Sequence, residues 1–121
     1  MATARTDGRP HVAPVWIDLE DDDTIVFNTG ESTIKGRNLA RDPRVCLSVD
    51  DDEPPFTFVV AQGLAQLSAD LGEVRRWAGR LGGRYLGPDQ AEAMARRNGV
   101  PGELLVRVRV SSWVGMSRVS D

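Results

Sequence analysis

Lys35 is the only lysine among fifteen basic residues, and Arg37 and Arg41 follow it within seven positions. An ammonium is a compact point charge, whereas a guanidinium is a planar fork, so the two bind phosphate differently. A lone lysine beside two arginines therefore marks a candidate anion contact. The residues before it strengthen that reading. Ile25, Val26 and Phe27 are β-branched or aromatic, as a buried strand requires, and Gly30 breaks the run. Ser32 is the expected N-cap, its hydroxyl accepting from a backbone N–H at a helix start. Ile34 through Arg41 read as a short helix, stopped by Pro43, because the residue before a proline avoids helical torsions. Strand, small-residue turn, capped helix start and clustered cations together favour a phosphate or a carboxylate.

The totals of the chain restrict what such a site can serve. A chain of 121 residues reads as one domain, 1–121, large enough to hold a core without disulfides or metal. Apolar residues make up 40% and charged residues 27%, with a net charge of −3. Nucleic acid is disfavoured as a partner, since phosphate neutralisation wants a basic excess. Cys46 is the only cysteine and His11 the only histidine, so neither a structural zinc nor a Ser-His-Asp triad has the parts it needs. Cys46 reads as a small core hydrophobe. No apolar stretch approaches the roughly 18 residues of a membrane span, and no signal peptide is visible. The expectation is a soluble cytoplasmic protein without a metal.

The elements that position the candidate site follow from periodicity. Asp7-Gly8 signals a tight hairpin turn between residues 1–6 and a return strand over Arg9–Leu19. Pro14 cannot donate to a sheet ladder, so it marks an edge or bulge where backbone groups are free to meet a ligand. Glu20-Asp21-Asp22-Asp23 reads as a solvated turn without chemistry, and Asp50 through Pro55 as a polar surface loop. Arg44–Asp50 alternate, with Val45, Leu47 and Val49 on one face. Phe56–Leu67 form a long strand interrupted at Gly63 by a bulge or a close backbone approach. Asp70 caps a helix whose stripe is Leu71, Val74, Trp77, Ala78 and Leu81, ended by Gly82-Gly83. A second helix runs from Pro88 to about Arg97 and closes at Gly99. Glu103–Val110 alternate as a strand, and Ser111–Val119 pair as a last one.

Antiparallel strands with few helices predict a mainly β protein, a small closed barrel with flanking helices, because closure removes sheet edges. Strands do not alternate with crossover helices, which disfavours a parallel α/β fold. Neither G-x-G-x-x-G nor a Walker A loop is present, so a Rossmann dinucleotide site is not indicated.

Three stretches carry a resemblance: Asp7-Gly8-Arg9-Pro10-His11-Val12-Ala13-Pro14-Val15-Trp16, Phe27-Asn28-Thr29, and Lys35-Gly36-Arg37-Asn38-Leu39-Ala40-Arg41-Asp42-Pro43-Arg44-Val45. They resemble the pyridoxamine 5′-phosphate oxidase-like, FMN-binding split barrels, and within these the coenzyme F420-dependent oxidoreductases. The resemblance covers nearly the whole chain. It implies a six-stranded antiparallel split barrel and a homodimer with cofactor sites in grooves at the subunit interface. Val12, Ala13, Pro14 and Val15 would face the deazaflavin ring, with Asn28 and Thr29 beside the ring and its polyol chain. Lys35, Arg37 and Asn38 would bind the phosphate and the acidic glutamyl tail. Thr33 stands where some relatives carry another basic residue. The N-terminal helix usual in the family is absent before the first hairpin, which suggests a segment missing from this start.

The implied chemistry is hydride delivery from reduced F420 to an activated double bond of a small organic substrate, which is the coenzyme's own chemistry. No general acid stands among the matched residues, so no catalytic residue is assigned. Two alternatives accompany this reading: an FMN-dependent flavoprotein on the same fold, and a carrier that binds F420 without turnover. Trp16, Trp113 and Val114 are the candidates for an interface between subunits.

Overall fold

A computed structural model describes residues 1–121. Its strands and helices are β1 (Ala2–Ala4), β2 (Pro10–Val12), β3 (Asp18–Asp21), β4 (Thr24–Gly30), α1 (Ile34–Arg41), β5 (Arg44–Asp51), β6 (Thr57–Ser68), α2 (Leu71–Leu86), α3 (Ala91–Asn98) and β7 (Glu103–Ser117). A short 3-10 turn, Pro88–Gln90, leads into α3. The strands form one sheet in the order β2-β1-β5-β6-β7-β4-β3. Every pairing in it is antiparallel. The predicted mainly β, antiparallel split-barrel class is the observed one.

Seven strands stand against the six that the resemblance implies, and Arg9–Leu19 supplies two short strands in place of one continuous return strand. β2 and β3 lie at opposite edges of the sheet, joined by Ala13–Ile17. In a flat sheet, six inter-strand gaps would separate those edges by about 29 Å. The six Cα steps from Val12 to Asp18 reach at most about 21 Å. The sheet therefore has to curl, and Ala13–Ile17 straps its two edges together. Pro14, which has no N–H to donate, sits in the strap as expected of a residue that leaves the ladder.

The continuous apolar run of β4 is explained by burial on both faces. Ile25 and Phe27 pack inward with Leu39, Val45, Leu47, Ala61, Val106 and Val108. Val26 packs outward with Val74 and Trp77 of α2 and with Leu105. Trp77 is a core residue, as its helical spacing predicts. At Gly63 both expected features occur together. The β6–β7 register shifts between Gln62 and Gly63, and a Cβ on Gly63 would lie 2.1 Å from the Arg109 carbonyl oxygen.

Four sequence readings need correction. β7 is a single strand through Ser117, because β6 is long enough to pair with it from Leu105 to Ser117. α2 passes through Gly82-Gly83 to Leu86 and is closed by Gly87 at φ 107°. Those glycines serve helix packing: a Cβ on Gly82 would lie 2.4 Å from the Met94 Cβ of α3. The N-cap of α1 is Thr33 rather than Ser32, with its Oγ1 accepting from the Gly36 N–H at 3.1 Å. Glu20 is not merely solvated. Arg107 Nε donates to it at 2.9 Å, while Arg107 Nη2 donates to Glu73 at 2.7 Å, tying β3, β7 and α2 together. No helix is long and apolar enough to cross a membrane.

Candidate functional site

Five segments meet around a cleft of about 350 Å³, lined by Pro14, Val15 and Trp16 of the strap, Asn28 of β4, Lys35 of α1, Ala78 and Leu81 of α2, and Asn98 of α3. Strand alternation explains how Asn28 arrives there. It shares the outer face of β4 with Val26, two residues earlier, and so faces α2 rather than the barrel interior. Its Nδ2 lies 3.5 Å from the Val74 carbonyl. Its Oδ1 is buried without a hydrogen-bond partner. A buried amide oxygen left unpaired costs free energy comparable to a lost hydrogen bond, which makes Asn28 a polar group without an internal partner beside the cleft.

Lys35 reaches the cleft from the first turn of α1, which is anchored hard against the end of β4. Thr33 Oγ1 donates to the Gly30 carbonyl at 2.7 Å, and Thr29 Oγ1 lies 3.1 Å from it. Gly36 comes so close to β4 that a Cβ there would sit 2.1 Å from the Gly30 oxygen. The glycine between Lys35 and Arg37 is thus what lets the helix start approach the strand. Beside this start, Glu103 of β7 pairs with Gly30. Burial pushes the Glu103 carboxyl above the usual range, and the charge of Lys35 opposes that rise.

Of the nine residues matched to a cofactor site, Pro14, Val15, Asn28 and Lys35 converge on the cleft. The others are placed elsewhere. Val12 is 73% exposed on the edge strand β2. Ala13 is held by Met1, through Ala13 N to Met1 O at 3.0 Å and the reverse bond at 2.9 Å. Thr29 is buried against Thr33. Arg37 is exposed and donates through Nε and Nη2 to the Ser32 carbonyl at 3.0 and 2.8 Å. Asn38 is buried, donating to Thr3 Oγ1 at 3.0 Å and accepting from Arg41 at 3.2 Å.

The sequence reading missed Asn98 as a lining residue and placed Ala78 and Leu81 only in a core stripe. They are indeed buried, and they form the floor of the cleft. Their spacing of three residues was a legible signal for a shared face. Asn98, at the last position of α3, carried none. The arrangement offers one cationic and two amide side chains facing an apolar slot. Such a slot suits a flat, largely apolar ring system with hydrogen-bonding edges and an anionic substituent.

Residues 1–116 match the model of the family described as pyridoxamine 5′-phosphate oxidase. Among solved structures, a conserved hypothetical protein from Mycobacterium tuberculosis is 26% identical, with a TM-score of 0.82 over 98% of this chain and 76% of that one. A protein described as an F420 reductase is also 26% identical, with a TM-score of 0.73 over 93% of this chain and 85% of that one. HupZ of Group A Streptococcus shares the fold at 18% identity, with a TM-score of 0.70 over 95% and 81% of the two chains.

Proposed function

The chain belongs to the pyridoxamine 5′-phosphate oxidase family, and from that premise we propose that it is an F420-dependent oxidoreductase acting on a small organic substrate with an activated double bond. The family includes oxidoreductases and binds flavin-type cofactors. The observation that carries the finer reading is that Lys35 and Asn28, whose side-chain oxygen has no partner within the chain, line one cleft together with apolar residues. The likeness to an F420 reductase supports the same reading. A cleft of about 350 Å³ lies at the small end of the roughly 300–1,000 Å³ usual for ligand sites. It suits a tricyclic ring and leaves the polyol chain and acidic tail outside.

The residues fit such a group. Asn28 Oδ1 would accept from a ring N–H, and Pro14, Val15, Ala78 and Leu81 would cover the ring faces and exclude water. Lys35 would hold the phosphate, while Arg37, which donates to the Ser32 carbonyl, would steady the helix start that carries it. When bound, a reduced deazaflavin supplies a hydride for the double bond of the substrate. The chain's part is to orient the two reactants and to keep the slot dry. No side chain in the cleft is assigned as the proton donor.

We further propose a homodimer. Trp113, Val114 and Met116 on β7 leave a run of exposed apolar side chains that a second copy would cover. We also propose a cytoplasmic site of action.

Titration of the wild type and of Lys35→Ala with F420 and with FMN tests the cofactor reading. A hydrogen bond to a charged group contributes about 1.5–3 kcal/mol, so Lys35→Ala should weaken F420 binding about 10- to 150-fold. Retention of FMN with no response to F420 would move the protein to the FMN users. Turnover of an enone panel separates a reductase from a carrier.

A further inference from the structure

We propose that Tyr85 is a positioning residue for the cleft, tethering the Ala13–Ile17 strap to α2 and thereby setting the slot width; this rests on the cofactor-site reading above. Ala78, Leu81 and Tyr85 stand at i, i+3 and i+7, so they share one stripe of α2. The first two form the floor of the cleft. The third reaches past it to the opposite wall. Tyr85 Oη accepts from the Ile17 N–H at 3.0 Å and lies 3.3 Å from the Ile17 carbonyl, to which it donates. One hydroxyl thus satisfies both backbone groups of a single strap residue. The ring of Tyr85 also stacks on Trp16, with centroids 5.1 Å apart and planes within 6°.

The next residue is gripped from the same helix. Asp18 receives Arg84 at 3.3 Å and faces Arg80 at 3.9 Å. At its other end the strap is fixed by the paired bonds between Met1 and Ala13. Between these anchors, Pro14, Val15 and Trp16 make no backbone hydrogen bond, and these three residues form the cleft wall. A wall without a ladder of its own is positioned by its ends. Because α2 carries both the floor and one of those ends, helix geometry fixes the distance between them. Ala78 and Tyr85 are about 10 Å apart along the axis at 1.5 Å per residue.

Tyr85→Phe is the discriminating variant, since it keeps the ring and its stack and removes only the hydroxyl. If Tyr85 merely packed, Phe would behave as wild type. We expect F420 affinity to fall about five- to tenfold, with Tm within about 4 °C of wild type because the freed Ile17 groups can take water. Amide exchange at Ile17 should quicken about tenfold or more in the same variant. Val108→Ala, in the barrel core away from the cleft, is the control. It should lower Tm and leave affinity unchanged.

Unchanged affinity in Tyr85→Phe, while Lys35→Ala loses F420, would overturn the tether and leave the cofactor reading standing. Unchanged Ile17 exchange would also overturn it. A wild type that binds neither F420 nor FMN would overturn both, since the strap would then have no ring to be positioned for.

Discussion

Glu73→Gln offers a test in which the structure fixes both the size and the pH window of the effect. The Glu73 carboxylate receives Arg107 Nη2 at 2.7 Å and the Ser68 hydroxyl at 2.8 Å. The Arg107 guanidinium, followed by Ser68, holds the carboxyl pKa down from 4.5 to about 2. At about 1.4 kcal/mol per pH unit, that difference corresponds to at most about 3.5 kcal/mol. The side chains of Arg107 and Glu73 are 21% and 30% exposed, so water screens the pair and a contribution of about 1–2 kcal/mol is expected. Because the folded-state value is the lower one, this stability is fully present above the unfolded value of 4.5. It is lost as pH falls through about 2.

Glutamine imitates the protonated acid, and Glu20 remains to pair with Arg107. The variant should therefore be less stable than wild type by about 1–2 kcal/mol at pH 7, and the two should converge near pH 2. Urea unfolding across that range, with far-UV circular dichroism as the signal, measures the difference directly. Equal stability at pH 7 would refute the assigned ion pair. An offset that persists unchanged to pH 2 would refute its electrostatic origin.

Three further outcomes follow from other parts of the fold. Gly63→Ala puts a Cβ 2.1 Å from the Arg109 oxygen, a backbone clash that should cost about 3 kcal/mol or more; a thermal melt near wild type would contradict it. Glu103→Gln removes a carboxylate that interacts electrostatically with Lys35, so a phosphate-bearing ligand should bind about two- to fivefold tighter at low salt, with the gain fading at high salt. Weaker binding would show that Glu103 supports the site instead of competing for Lys35. Val114→Glu places a charge on a residue that is 63% exposed in the isolated chain and should convert a dimer to monomers by light scattering. A dimer that survives the substitution would move the interface to another face.

Legibility followed how local each determinant is. Ile25–Phe27 and the ends of α1 were readable because a buried strand and a proline stop depend on nearby residues. Gly63 was readable because a glycine inside a strand has few other uses. The cap was displaced by one residue, since Ser32 and Thr33 are equally good by type. Only the position of the Gly30 carbonyl, to which Thr33 donates, selects between them. Gly82-Gly83 misled for the converse reason. They resemble a helix stop, but their role is set by Met94 across the helix pair, a contact without a sequence-local trace. Glu20 looked like a solvated acid because its partner, Arg107, lies 87 residues away.

The K-x-R-N stretch makes the same point about the site itself. Read as a string, Lys35, Arg37 and Asn38 suggest three ligands to one anion. At 100° per residue, however, Arg37 points about 200° around the helix from Lys35, so the two cannot line one wall together. The fold accordingly divides the three. Lys35 enters the cleft, Arg37 ties down the Ser32 carbonyl, and Asn38 joins α1 to Thr3 of β1. Two of the three secure the helix start from which the third projects. A short motif of this kind therefore encodes the mounting of its one cleft residue as much as the contact with a ligand. Substitution of Asn38 would act through the position of Lys35, whereas substitution of Lys35 would act on the proposed anion contact itself.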